Sequence, residues 1–339
     1  MIVILGCMMN QAPTLVAAPN AADIRRLSGA LAHYERADFP AALKVFDGLI
    51  LHNPDWKTAY GLRSMCLWTN GDMEAAVQDA RKAISLRPNS ADSFAARGHA
   101  RFVLKDYAEA LGDYQSALGM DGRSAQAHFG RGSALSAQGD LKGALRALDS
   151  AIAIKGDFAT AFLVRGSVKD RLRDFDGAIA DYSRVLKVRP GFSWARFYRA
   201  KAYRERKDYA RAKADLDAFL KVQPRQEEAF YLRANVSFLA GDFRAAMSDL
   251  DRVIELNPKR GLAYSNRGIS RLRQGDKAGA LKDLKRALEL DASRRDQIQS
   301  AIDRIEGQYV QGTAEEKPEP LEERPADPRG LDEDTVFLQ

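Results

Sequence analysis

Residues 91–124, with the sequence ADSFAARGHARFVLKDYAEALGDYQSALGMDGRS, contain the pattern that decides the fold. Asp106 and Ala110 in this stretch belong to two series that recur every 34 residues, eight times each and without a gap. The aspartates are Asp38, Asp72, Asp106, Asp140, Asp174, Asp208, Asp242 and Asp276, and the alanines are Ala42, Ala76, Ala110, Ala144, Ala178, Ala212, Ala246 and Ala280. A fixed period of this length predicts a stacked array of one supersecondary unit, in which each unit packs only against its neighbours.

Each unit is predicted to form two helices. In residues 91–124 the first helix runs from Ala91 to about Leu104. The second helix carries a core stripe at spacings of three and four, consisting of Ala110, Tyr114, Ala117 and Leu118. The break between them is Lys105-Asp106 here and Gly-Asp in four other units. Glycine favours the left-handed conformation that ends a helix, and aspartate can accept hydrogen bonds at the start of the next one.

Small side chains recur where the two helices of a unit must approach closely. Unit position 8 is always Ala, Ser or Gly, and position 20 is the alanine series. Position 32 is most often proline, which interrupts helices. Together with an aromatic or aliphatic residue at position 24, this pattern resembles the tetratricopeptide repeat over residues 23–294. Position 4, which is often Trp in that family, is Tyr, Phe or His in six units of this chain.

The resemblance implies an all-α, right-handed superhelical solenoid of helix-turn-helix repeats, with a C-terminal capping helix and a disordered tail. Eight units are expected, numbered 1 to 8 below, with the boundaries 23–56, 57–90, 91–124, 125–158, 159–192, 193–226, 227–260 and 261–294. Unit 1 matches the family pattern least well, and we expect it to act as an N-terminal cap. A helix over about 293–308, with isoleucines at spacings of three and four, is expected to cover the last repeat.

Position 7, commonly Leu in the family, is arginine in seven units and forms what we call the arginine ladder: Arg63, Arg97, Arg131, Arg165, Arg199, Arg233 and Arg267. Position 23 is aspartate in six units: Asp79, Asp113, Asp181, Asp215, Asp249 and Asp283. Unit 4 has Arg131 but Ala147 in place of the aspartate. The co-occurrence favours structural pairs between the helices of a unit, such as Arg165 with Asp181. The alternative is a ladder of arginines that binds phosphate or nucleic acid, and Arg131 is then the most available member.

In the tetratricopeptide family a concave groove is lined mainly by first-helix positions 2, 5, 6, 9, 12 and 13. Carried onto this chain, the resemblance implies a groove that is aromatic at its N-terminal end and charged in the middle. The candidate partner-binding residues are Trp68, Phe102, Arg131, Asp170, Arg171, Trp194, Phe197, Tyr198, Lys201, Arg204, Tyr231 and Phe238. Aromatic and arginine side chains are frequent binding hot spots. Asn235 and Asn266 match two elements of the clamp with which some family members grip chaperone C-termini, but Tyr231 replaces its lysine.

The two ends of the chain differ from the array. Residues 311–339 are rich in acidic residues and proline, and carry a charge near −6 in a chain of net charge +6. Such a segment is predicted to be disordered. Two alternatives are open for it, namely contact with the basic array at low salt or a solvated tail that only aids solubility. Residues 1–22 could be the remnant of a signal or lipoprotein signal, although no positive region precedes the apolar stretch. A cytoplasmic location is favoured, with export or lipid anchoring open if the N-terminus is extended.

The sequence contains no recognisable catalytic motif, and the four histidines and two cysteines lack the spacing of a metal site. We therefore expect no enzymatic activity, no cofactor and no metal, and no segment long enough to span a membrane. The favoured function is a protein-interaction scaffold that binds peptide segments in its groove. The alternative is nucleic-acid binding through the basic surface, which loses affinity steeply as salt rises.

Overall fold

The computed structural model describes residues 19–307, and all of its regular structure in that range is helical. The helices are α1 Ala21–Glu35, α2 Phe39–His52, α3 Lys57–Asn70, α4 Met73–Ala83, α5 Ala91–Val103, α6 Tyr107–Met120, α7 Ala125–Ala137, α8 Leu141–Ile154, α9 Ala159–Arg171, α10 Phe175–Val188, α11 Ser193–Glu205, α12 Tyr209–Val222, α13 Glu227–Leu239, α14 Phe243–Leu256, α15 Gly261–Arg273, α16 Lys277–Leu290 and α17 Arg295–Glu306. A short 3-10 turn, Ala292–Arg294, precedes α17. The predicted acidic tail, its contact with the array and most of the N-terminal segment lie outside the described residues.

Helices α1 to α16 form eight consecutive pairs, so the predicted all-helical solenoid is confirmed. Each pair is separated by a residue in the left-handed region at unit position 15. Four units use glycine there, with φ between 83° and 93°, and four use Ala37, Lys105, Arg173 or Lys207, with φ between 59° and 67°. The aspartate that follows caps the second helix with its side chain in six units, whereas Asp38 and Asp106 make no such bond.

Close packing within each pair depends on the small residues that the sequence places at positions 8 and 20. Every alanine of the position 20 series is 0% exposed. A Cβ atom added to Gly98 would lie 2.7 Å from the ring of Tyr114, and one added to Gly166 would lie 2.7 Å from Tyr182. A larger side chain at these positions would therefore force the two helices apart.

The first helices of neighbouring units also pack directly on one another near the N-terminus, where α3 contacts α5 closely. A Cβ added to Gly61 would lie 2.4 Å from the carbonyl oxygen of Ala96. This approach draws the first helices together and curves the array strongly towards them. At the other end α17 covers α16, where Ile298 and Ile302 are 1% and 2% exposed.

Candidate functional site

Six arginines of the ladder are clamped by the aspartate at position 23 of their own unit. Arg165 is typical, since its Nε donates to Asp181 Oδ2 at 2.9 Å and its Nη2 donates to Oδ1 at 2.7 Å. The same two-pronged contact joins Arg63 to Asp79, Arg97 to Asp113, Arg199 to Asp215, Arg233 to Asp249 and Arg267 to Asp283. Such paired charge-assisted bonds fix the guanidinium in one orientation.

The third nitrogen of these arginines reaches the preceding unit, a contact that the sequence analysis missed. Arg165 Nη1 donates to Asp149 of unit 4 at 2.6 Å. Equivalent contacts at position 25 join Arg63 to Asp47, Arg233 to Asp217 and Arg267 to Asp251. Arg97 and Arg199 use the Leu86 carbonyl and the Ser183 hydroxyl instead. The ladder therefore ties successive units together, and its positive charge is largely neutralised within the fold, which leaves the nucleic-acid alternative without support.

The curvature of the array brings unit 1 against units 4 and 5, at a contact that we call the seam. The ring of Tyr34 lies 6.0 Å from that of Phe129, and the ring of Phe39 lies 5.9 Å from that of Phe192. Tyr34 and Phe39 are 3% and 2% exposed. Unit 1 thus packs against units far along the chain, which an N-terminal cap that covers only unit 2 would not do.

Charged groups border the aromatic part of the seam. Glu35 is 5% exposed and accepts hydrogen bonds from Gln126 Nε2, at 2.9 Å, and from Lys155 Nζ. Asp38 forms an ion pair with Arg189 at 2.7 Å. A buried carboxylate costs free energy unless it has hydrogen-bonding partners. The stability of the seam therefore depends on the contacts of Glu35 with Gln126 and Lys155.

A buried histidine lies near the seam on α5. His99 is 1% exposed, and its Nδ1 lies 2.9 Å from the Tyr114 hydroxyl oxygen. Burial lowers the pKa of His99 to about 4, so the ring is neutral at physiological pH. Burial likewise raises the pKa of Tyr114.

The seam defines which side of the array is the inner face. Unit 1 contacts Gln126 and Phe129, which occupy positions 2 and 5 of the first helix of unit 4. The same positions in unit 6 are Trp194 and Phe197. The inner face is therefore occupied by unit 1 at unit 4 and continues along α9, α11 and α13.

Four of the predicted groove residues are buried in the array itself. They are Phe102, Phe197, Tyr231 and Phe238, with exposed fractions of 4%, 6%, 3% and 7%. Trp68 is half-buried and packs edge-on against Phe102 at 5.0 Å. Asn266 donates to the Tyr231 hydroxyl at 3.0 Å and to Asn235 Oδ1 at 3.3 Å. The two asparagines that resemble clamp elements are thus bonded to each other and buried.

The remaining inner-face candidates form a half-buried cluster on α9 and α11, comprising Asp170, Arg171, Trp194, Tyr198, Lys201 and Arg204. Trp194 lies 6.3 Å from Tyr198, which stacks on Tyr182 at 5.9 Å. Arg171 is held by the Ser136 carbonyl at 2.9 Å, and Arg204 by Glu205. We call these six residues the α9–α11 cluster.

Asp170 is the most unusual member of the α9–α11 cluster. Its Oδ1 atom is buried and has no hydrogen-bond partner among the described residues. Burial raises the pKa of Asp170, and the charge of Lys201 opposes that rise. One acceptor of this carboxylate is therefore unused, and the charged groups near Asp170 are Lys201, Glu205, Arg204 and Arg173.

Arg131 differs from the rest of the predicted groove because it lies at position 7 and not on the inner face. The equivalent arginines turn towards the second helices of their own and the preceding unit. Arg131 therefore belongs to the arginine ladder.

A family model of the tetratricopeptide repeat matches residues 27–91, 95–159, 163–212, 199–259 and 238–295. The chain belongs to the tetratricopeptide repeat family. No curated protein matches it in a sequence search.

Solved tetratricopeptide repeat structures share the fold at low sequence identity. The Cut9–Hcn1 hetero-tetramer of the APC/C aligns with a TM-score of 0.63 and 14% identity, over 83% of this chain and 55% of that one. YrrB, described as having an unusual peptide-binding site, aligns with a TM-score of 0.50 and 18% identity, over 56% of this chain and 97% of that one. A repeat protein from Parabacteroides merdae aligns with a TM-score of 0.46 and 21% identity, over 74% of this chain and 98% of that one.

The described part of this repeat protein offers no group of three or more potential metal ligands. Cys66 is fully buried in the core, and burial raises the pKa of its thiol. None of the helices between residues 19 and 307 is long and apolar enough to cross a membrane.

Proposed function

We propose that this tetratricopeptide repeat protein is a non-enzymatic scaffold that binds a peptide segment of a partner protein at the α9–α11 cluster. The observation that carries the proposal is that Trp194, Tyr198 and Lys201 lie together on the inner face and are only half-buried. Aromatic rings with adjacent cations are frequent hot spots, since they bury a large area and still pair with polar groups.

The seam supports this location because it excludes another. Unit 1 covers Phe129 and Phe192, so the inner face of unit 4 and the end of unit 5 at Phe192 are not available to a partner segment. The α9–α11 cluster lies directly beyond that covered region. YrrB, a protein of the same fold, is described as having a peptide-binding site, which agrees with a peptide ligand but does not fix its place.

The cluster also favours a segment of mixed charge. Lys201 supplies a cation for acidic side chains of the partner, and the half-buried carboxylate of Asp170 supplies an acceptor for a donor of the partner. An apolar side chain of the partner then packs against the rings of Trp194 and Tyr198, between its polar contacts with Lys201 and Asp170.

The test is site-specific photo-crosslinking in cells. A benzophenone amino acid replaces Tyr198 in one variant and Ser248 in a matched control, because Ser248 is exposed on the second helix α14. A protein adduct that forms from position 198 and disappears when Lys201→Ala and Trp194→Ala are added supports the proposal. Equal adducts from positions 198 and 248, or none at 198, would show that the inner face at α11 does not carry binding.

A further inference from the structure

Six arginines of the ladder are paired with the aspartate at position 23, and the seventh, Arg131, has Ala147 in place of that aspartate. In the six paired units the arginine side chain is 16% to 22% exposed, with an aspartate at bidentate distance. Arg131 in unit 4 is also half-buried, yet it makes no hydrogen bond or ion pair with any residue in the range 19–307. A guanidinium in this setting has lost part of its hydration without gaining a carboxylate.

Arg131 lacks both of the aspartates that pair with the arginine in other units. Position 23 is Ala147, which is 2% exposed and fills the place of aspartates that are themselves 2% to 7% exposed. Position 25 of the preceding unit is the exposed Gln115, where four other units have aspartate. Position 11 is Leu135, whereas Arg101, Lys169 and Arg271 share the position 23 aspartate in units 3, 5 and 8.

A second polar atom without a partner lies one helical turn away. His128 occupies position 4, where five other units place an aromatic ring 5.3 to 5.7 Å beneath the arginine. Its Nε2 lies 3.1 Å from the Gly122 carbonyl oxygen, so this nitrogen carries the proton. Its Nδ1 is buried and has no partner among the described residues. Side chains three residues apart on a helix are neighbours, so both groups border the same place.

We propose that Arg131 forms a binding site for a carboxylate, supplied by an Asp or Glu side chain of a partner protein. The chemical class follows from the chain itself, because six equivalent arginines hold carboxylates through Nε and Nη2. The site lies on the second-helix side of the ladder, so it is separate from the α9–α11 cluster and independent of the function proposed there.

The decisive variant is Ala147→Asp, which gives unit 4 the aspartate that six other units already contain. The Nε–Hε resonance of Arg131 is followed by NMR in the full chain during titration with capped aspartate, at constant ionic strength. A saturable shift is expected in the parent protein in the millimolar range, and an apparent affinity lower by about tenfold or more in the variant. The resonance of Arg97, which is already paired with Asp113, is the internal control and should not shift.

Three outcomes would overturn the proposal. A shift that grows linearly without saturating means that Arg131 is merely solvated. Equal affinity in the parent and in Ala147→Asp places the bound anion elsewhere. Inorganic phosphate that saturates the resonance where capped aspartate does not would assign a phosphate site in place of a carboxylate site.

Discussion

At the scale of single residues, His99 is the group whose ionisation the fold constrains most clearly. Its pKa is about 4 in the folded chain, against an ordinary value of 6.5, because burial penalises the charged ring. Below the ordinary value the unfolded chain binds a proton that the folded chain does not, so stability falls as the pH drops from 6.5 to 4. The loss attributable to this one residue is on the order of 3 kcal/mol.

Urea unfolding of His99→Gln between pH 4 and 7, compared with the parent, measures this contribution. We expect the two stability curves to converge towards pH 4, since the variant has no ring to protonate. His52→Gln removes an exposed histidine and is the control, whose free energy of unfolding should change with pH by the same amount as that of the parent. A constant offset between His99→Gln and the parent across the range would show that His99 is not held neutral by burial.

The sequence predicts the contacts of the arginine ladder within a unit but not those between units. The pairing of Arg165 with Asp181 could be predicted because both residue types occur in the same units. The contact of Arg165 with Asp149 was missed, although a signal existed in the recurrence of aspartate at position 25. The period fixes what lies within a unit, but which side chains meet between units depends on how closely neighbouring helices stack.

At the scale of the helical elements, the left-handed residue at unit position 15 allows the free-energy cost of its backbone conformation to be measured. Lys105 and Lys207 have φ of 67° and 59°, a region that side chains with a Cβ disfavour and glycine adopts freely. Lys105→Gly and Lys207→Gly should each stabilise the fold by about 0.5–1 kcal/mol, and their effects should add because the sites are far apart. Both lysines are exposed, so no packing is lost.

Thermal unfolding monitored by circular dichroism measures these gains. Lys282→Gly, at an exposed position inside α16, is the matched control and should destabilise by about 1 kcal/mol, because glycine is unfavourable within a helix. Destabilisation by Lys105→Gly of the same size as the control would show that position 15 stores no strain.

The N-caps of the second helices follow the local sequence in most units, but a tertiary contact replaces the cap in unit 1. The sequence predicts an aspartate N-cap for the second helix of every unit, and six units have it. Asp38 of unit 1 instead pairs with Arg189 in the seam, and this ion pair lowers the pKa of Asp38, although burial alone would raise it. A contact between residues so distant in sequence cannot be inferred from a capping pattern.

At the scale of the whole molecule, curvature is what the sequence left undetermined. The period predicted stacked helix pairs correctly, but the tight approach of Gly61 to Ala96 lies outside the positions that define the repeat. The resulting curl closes unit 1 onto units 4 and 5. It also explains why unit 1, expected to be a simple cap, contains a buried carboxylate at Glu35.

The seam can be opened selectively by removing the cation that Glu35 relies on. Lys155→Met leaves Glu35 buried with Gln126 as its remaining partner, and Lys155 is itself 43% exposed, so we expect a cost of about 1–2 kcal/mol rather than that of a fully buried pair. Amide exchange of α1 should then accelerate by a factor of roughly 5–30 relative to the parent, because unit 1 leaves the inner face more often. Lys187→Met removes an exposed lysine of α10 from unit 5 and should leave α1 unchanged. If the exchange of α1 in Lys155→Met matches that control, the contact of Lys155 with Glu35 does not hold unit 1 on the inner face.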